Sequence, residues 1–137
     1  MSAPAVAVST TGNKFAAAWK DVRMGEPNVY WTMSAKPEFA AGQLVHDVTN
    51  GTQDHPSLCI DRLEMAWIAW EDNRSGHQEI WVRSSQDGDI GRRIVQPVDA
   101  TASYPTIATG HDMVAVVYES QVNGIKTIQF QTISTMR

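Results

Sequence analysis

The stretch Trp70-Glu71-Asp72-Asn73-Arg74-Ser75-Gly76-His77-Gln78-Glu79-Ile80-Trp81 decides how the rest of the chain is read. Trp70 closes one apolar run, and Ile80 and Trp81 open another, as strand residues do. Between them Asp72, Asn73, Ser75 and Gly76 are turn formers. Upstream lie the run from Met65 to Trp70 and, before it, Pro56-Ser57-Leu58-Cys59-Ile60. The whole arrangement recurs. Pro4-Ala5-Val6-Ala7-Val8 and Pro105-Thr106-Ile107-Ala108-Thr109 match the Pro-led segment, and Phe15 to Trp19 and Met113 to Tyr118 match the apolar run. Trp19-x-Asp21-x-Arg23-x-Gly25 matches Trp70-x-Asp72-x-Arg74-x-Gly76 position for position. Tyr118-x-Ser120-x-Val122-x-Gly124 keeps the aromatic and the glycine but loses the charges. The next strand returns at equal spacing, at Val29-Tyr30, Ile80-Trp81 and Ile128-Gln129.

The period is roughly 50 residues, in the range of β-propeller blades. Each repeat reads as four strands. The first starts at the Pro and the second ends at the Trp or Tyr. The third runs over Asn28 to Met33, Glu79 to Arg83 or Lys126 to Thr132, and the fourth over Gly42 to Val48 or Arg92 to Val98. The third repeat reaches Arg137 without a fourth strand. The expected fold is therefore all-β: one domain of about two and three-quarter four-stranded antiparallel propeller blades, at residues 3–54, 55–103 and 104–137. Met65 to Trp70 and Val114 to Tyr118 are apolar without alternation, as strands covered on both faces are. Phe15-Ala16-Ala17-Ala18-Trp19 is helical by propensity alone. Its equivalents are rich in Val, Ile and Trp, so it is assigned to a strand.

Composition agrees with a folded domain. Of 137 residues, 42% are hydrophobic and 19% charged, which excludes a disordered chain. A net charge of -4 argues against nucleic acid as the partner. No window approaches the roughly 18 apolar residues of a membrane span, so a soluble chain is expected. Met1 to Val8 lacks a basic n-region and is too short for a signal peptide. The chain is then either intracellular or a mature part of something longer. A lone cysteine, Cys59, excludes an intrachain disulfide and reads as a small buried side chain. Asn50-Gly51-Thr52 and Asn73-Arg74-Ser75 match glycosylation acceptors, but turn chemistry explains both better.

The Trp-x-Asp-x-Arg-x-Gly turns, the Pro-led first strands and Ser85-x-Asp87-Gly88 after the third strand resemble the sialidase-like, Asp-box class of β-propeller repeats over essentially the whole chain. Asp89 stands where that class usually has a Gly, and the first repeat has Ser34-x-Lys36 without the Asp. The resemblance implies that the turn after the second strand and the link between blades share the ligand-binding face. It places Asp21, Arg23, Asp72, Arg74, His55 and Tyr104 there, with Ser85 and Asp87 beneath. A sialidase also needs three convergent arginines, a Tyr–Glu nucleophile pair and an acid Asp. That set is not recognisable, so no catalytic residue is assigned.

Each candidate has a structural reading beside the functional one. Asp in a turn bonds backbone amides, and Arg can cover it. Occurrence in two repeats favours this role, because one-off chemistry needs one copy. Trp31 and Trp81 lie on third strands, where they either pack between blades or offer a ring face to a sugar. His46, His55, His77 and His111 lack the spacing of a zinc motif and read as solvated loop residues. Asp87-Gly88-Asp89 lacks the ligand series of a calcium loop and reads as a turn. Neither metal nor cofactor is expected.

Two and three-quarter blades cannot close a ring, since propellers need about four to eight. Two copies would make a six-bladed ring, so the expected partner is a second copy of the chain; the rival reading is that the chain is a piece of a longer propeller. The function expected is a non-catalytic, self-assembled binding module for a glycan or protein segment. The ligand candidates are Asp21, Arg23, Asp72, Arg74, His55, Tyr104, Trp31 and Trp81. The alternatives are a structural or protein-interaction subunit and a degenerate glycoside hydrolase.

Overall fold

A computed structural model of the chain describes residues 4–36, 38–39, 41–47 and 49–136. Every regular element among them is a β-strand, and no helix is long and apolar enough to cross a membrane. The strands form three antiparallel sheets in strict chain order. The first holds β1 (Ala5–Val8), β2 (Phe15–Asp21), β3 (Asn28–Ser34) and β4 (Gln43–Leu44). The second holds β5 (Gln53–Ile60), β6 (Ala66–Asp72), β7 (Glu79–Ser84) and β8 (Arg92–Arg93). The third holds β9 (Thr101–Thr109), β10 (Met113–Val122) and β11 (Ile125–Ser134).

The repeat seen in the sequence is a repeat of register. Trp19 pairs with Tyr30, Trp70 with Trp81 and Tyr118 with Gln129. The alanine-rich run at Phe15 is a strand because both neighbours pair with it. Consecutive sheets are joined by equivalent backbone bonds, from Gln53 N to Pro27 O and from Ala102 N to Gln78 O, both 3.0 Å. Between them lie two apolar cores. Ala16, Ala18, Val29 and Trp31 of the first sheet meet Leu58, Ile60, Ile68 and Trp70 of the second. Trp67, Ala69, Ile80 and Val82 of the second meet Ile107, Val114, Val116 and Tyr118 of the third. All seven positions of β6 are buried, since this strand is covered on both faces.

Three strand expectations need correction. The first strands of the second and third repeats begin ahead of the proline, at Gln53 and Thr101, and their registers shift between Asp54 and Ser57 and opposite Tyr104–Pro105. A proline has no amide to donate, so the strand passes it as a bulge. The fourth strands shrink to Gln43–Leu44 and Arg92–Arg93. After β4, the His46 imidazole takes the Val29 amide at 3.2 Å and displaces the next ladder partner. Val48, the expected end of that strand, lies outside the described residues. After β8, Pro97 prevents continuation. The strand expected over Lys126 to Thr132 runs from Ile125 to Ser134, because Asn123 and Gly124, at φ 50 and 76, close a two-residue hairpin.

The glycines ahead of the short fourth strands have a packing reason. A Cβ on Gly42 would collide with the Trp19 indole, and one on Gly91 would come within 3.2 Å of Trp70 Cη2. The Trp19 ring leaves room only for hydrogen at Gly42, and the Trp70 ring would have to give by a few tenths of an ångström at Gly91.

Candidate functional site

The repeated turns are built alike. Asp21 Oδ1 accepts from the Arg23 amide at 2.8 Å, and Asp72 Oδ1 from the Arg74 amide at 2.9 Å. The other oxygen accepts the indole N–H of Trp19 at 3.3 Å or of Trp70 at 2.9 Å. The same oxygen takes the guanidinium: Arg23 Nη2 reaches Asp21, and Arg74 binds Asp72 through Nε at 3.1 Å and Nη2 at 2.7 Å. Each guanidinium then lies on the third-strand aromatic, Arg23 4.4 Å above Tyr30 and Arg74 3.9 Å above Trp81. The Arg23 side chain holds the Asp21 carboxyl far below its ordinary value. Burial pushes Asp72 up, but its bonds to Arg74 and the Trp70 indole outweigh burial and hold it low. These four residues satisfy one another. The third turn carries no such brace because its hairpin is too short to need one.

The other candidates converge. His55 and Tyr104 are equivalent positions, each before a proline and each at positive φ, 49 and 55. Pre-proline residues avoid helical conformations, and non-glycine residues rarely take this one. Their rings meet edge to face, with centroids 5.1 Å apart. What holds them is Glu71, the buried residue after Trp70. Its Oε1 lies 2.8 Å from His55 Nδ1, and its Oε2 accepts the Tyr104 amide at 2.7 Å. Nδ1–H is donated to the carboxylate, which leaves Nε2 for a further hydrogen bond.

These groups border a cleft of about 240 Å³ between the second and third sheets, lined also by Thr52, Asn73, Gln78 and Ser103. Gln78 Nε2 donates to Ser103 Oγ at 2.6 Å and to Ala102 O at 3.0 Å. Asp54 borders the cleft too, but it accepts from the His55 amide at 2.7 Å and pairs with Lys20 Nζ at 3.2 Å. Every carboxylate of the cleft is thus partnered. Hydroxyls, amides and the ring edges of His55 and Tyr104 are left to face an incoming molecule.

Trp31 is buried under Arg83, whose guanidinium lies 4.8 Å from its ring. Trp81 is half-buried, stacked on Trp70 and covered by Arg74. Neither joins the cleft. Of the histidines, His77 and His111 are exposed as expected. His46 is not a solvated loop residue: it is buried, and its ring lies 6.1 Å from that of Trp70. Asp87 is exposed, and Asp89 makes the bonds of its turn instead, accepting from Ser84 N at 2.9 Å and Gly91 N at 2.8 Å. Cys59 is buried, and burial pushes its thiol up to about 12. Asn50 and Asn73 serve the turns: Asn73 Oδ1 accepts from Thr52 N at 2.6 Å, and Asn50 Nδ2 donates to Arg74 O at 3.2 Å. No group of three or more His, Cys, Asp or Glu among the described residues is placed to hold a metal ion.

Sequence reasoning missed Glu71 and Lys20. Both stand directly after the second-strand tryptophan, where a charge on an otherwise apolar strand was a visible signal. No protein-family model matches the chain, and no curated protein matches it.

Proposed function

We propose that the three sheets are blades of a sialidase-like, Asp-box propeller completed by self-association, and that the chain is a non-catalytic binding module for a polyhydroxylated ligand, a glycan. The reading is carried by the way Glu71 pins Tyr104 and His55 together over a polar cleft. Tyr104 is 60% exposed and presents its ring to sugar C–H groups. His55 Nε2, Ser103 and Thr52 suit hydroxyls. A backbone held at positive φ in both aromatic residues is the kind of strain that functional positions carry.

Glycoside hydrolysis calls for two carboxyl groups free to act as acid and as nucleophile or base. Here both oxygens of Glu71, of Asp54 and of Asp72 are engaged internally. That supports binding over catalysis. The internally satisfied Asp21–Arg23 and Asp72–Arg74 turns favour stitching of the blades as their own role, so a purely structural subunit is the second reading.

A glycan array followed by calorimetric titration separates the two. Binding by the wild type is expected to weaken about tenfold or more in Tyr104→Ala, a loss of about 1.4 kcal/mol. A wild type that binds no glycan at millimolar concentration, or a Tyr104→Ala variant that binds as before, rules out the glycan reading.

A further inference from the structure

The register repeat gives each sheet two distinct faces. The face turned to the preceding sheet carries Leu58, Ile60, Ile68 and Trp70 in the second sheet and Ile107, Val114, Val116 and Tyr118 in the third. The same register positions of the first sheet are Val6, Val8, Ala17 and Trp19. With no sheet packed before it among the described residues, Val6 stands 68% exposed and Val8 52%. The face turned to the following sheet carries Ala16, Ala18, Val29 and Trp31 in the first sheet and Trp67, Ala69, Ile80 and Val82 in the second. Its equivalents in the third are Ala115, Val117, Ile128 and Phe130. Ile128 is 72% exposed and Phe130 71%. The stack therefore ends on two bare apolar faces of opposite kind, and inside the molecule those two kinds bury each other twice.

A polar link follows the same direction. Lys20 reaches forward to Asp54, and Glu71 forward to the Tyr104 amide. Glu119, the third of this series, meets no following sheet among the described residues and pairs with Lys126 at 3.2 Å within its own.

We propose that the outer face of the third sheet, at Val117, Ile128 and Phe130, docks the outer face of the first sheet, at Val6, Val8 and Trp19, of a second copy of this chain. The joint is head to tail and repeats the two joints already inside each chain. Two copies related by a twofold axis form it twice, which closes the assembly and leaves neither face bare. Charged or polar partners do not match these surfaces, and a like face does not either, because interior joints always pair unlike ones. The proposal rests on the self-association in the functional reading and adds to it which faces meet.

Sedimentation or light scattering tests it on the intact chain. The wild type is expected as two copies at micromolar concentration. Ile128→Asp/Phe130→Asp and Val6→Asp/Val8→Asp are each expected as monomers, with folding checked by circular dichroism. Mixed in equal amounts, the two variants should form a weaker two-chain species through the one joint left intact. Should an Asp pair unfold the chain, the Ser pair at the same positions is read in the same way. A folded, monomeric wild type overturns the joint and self-association together, and points to a different sheet as the occupant. A wild-type dimer that survives either double variant, or a mixture that stays monomeric, overturns this joint and leaves self-association standing, and masses that grow beyond two copies overturn the twofold closure.

Discussion

The first and second repeats place the same kinds of residue at the same register and obtain different results. In the first, the residue after the tryptophan is Lys20, and across the junction it finds Asp54, a partly buried ion pair. In the second it is Glu71, and the position matching Asp54 is Ser103, so no cation waits for it. Glu71 instead takes the Tyr104 amide and the His55 ring, and the space an ion pair would fill remains a cleft. The turns differ in depth in the same sense: the Asp72 side chain is 0% exposed, that of Asp21 17%. The scaffold is common to both repeats, and the candidate site arises where the second departs from the first.

The largest effect should come from the deeper brace. Asp72→Ala leaves the Trp70 indole without its acceptor and the Arg74 guanidinium with Asp47 alone, at 3.4 Å, and is expected to cost about 3–5 kcal/mol in urea denaturation. Asp21→Ala should cost clearly less, because solvent replaces what is lost; equal losses would remove depth as the distinction. Asp72 also sets an acid limb. Its folded pKa lies below the ordinary 3.8, so its contribution is fully present above that value and is lost as pH falls further. Between pH 5 and 2 the stability of Asp72→Asn should therefore fall less steeply than that of the wild type.

The junctions come next. Glu71→Ala strands the Tyr104 amide and His55 Nδ1, and should cost about 2–3 kcal/mol. Lys20→Ala removes a solvent-screened pair and should cost about 0–1 kcal/mol. A Lys20→Ala loss as large as that of Glu71→Ala would mean that the two junctions are energetically alike. Comparable to the Glu71 junction, and common to both repeats, is the glycine contact. Gly42→Ala pushes a methyl group into the Trp19 ring, and an overpacking cost of about 1–3 kcal/mol is expected in thermal or urea melts. A neutral Gly42→Ala would show that the ring moves aside without penalty.

Much of the architecture was legible because periodicity is a local property. The tryptophan, the turn glycine and the following strand recur at fixed spacing, and each copy folds into the same three-strand meander. The bulges were not legible, although Pro56 and Pro105 marked their places. A proline says that an amide is missing, but not that the strand resumes on its far side. His46 was misread for a related reason: a histidine in a polar segment carries no local sign that its ring will replace a backbone partner. Asp87 was preferred to Asp89 on motif spacing, while the hydrogen bonds go to the residue whose carboxylate reaches back to Ser84.

His55 and Tyr104 could be picked out as a matched pair from their common place before a proline, and Asp21, Arg23, Asp72 and Arg74 from their repetition. Which of these border the cleft and which face each other depended on distances across the sheets. The turn residues lie two apart in sequence, so their mutual satisfaction is local, and the repeat itself already argued for it. Glu71 meets Tyr104 across 33 positions of chain, and the two come together only when the second and third sheets stack. Strand, turn and repeat follow from near neighbours and are written in the sequence. The cleft and the two unlike outer faces follow from how the sheets are stacked, because burial is a property of what lies on the other side.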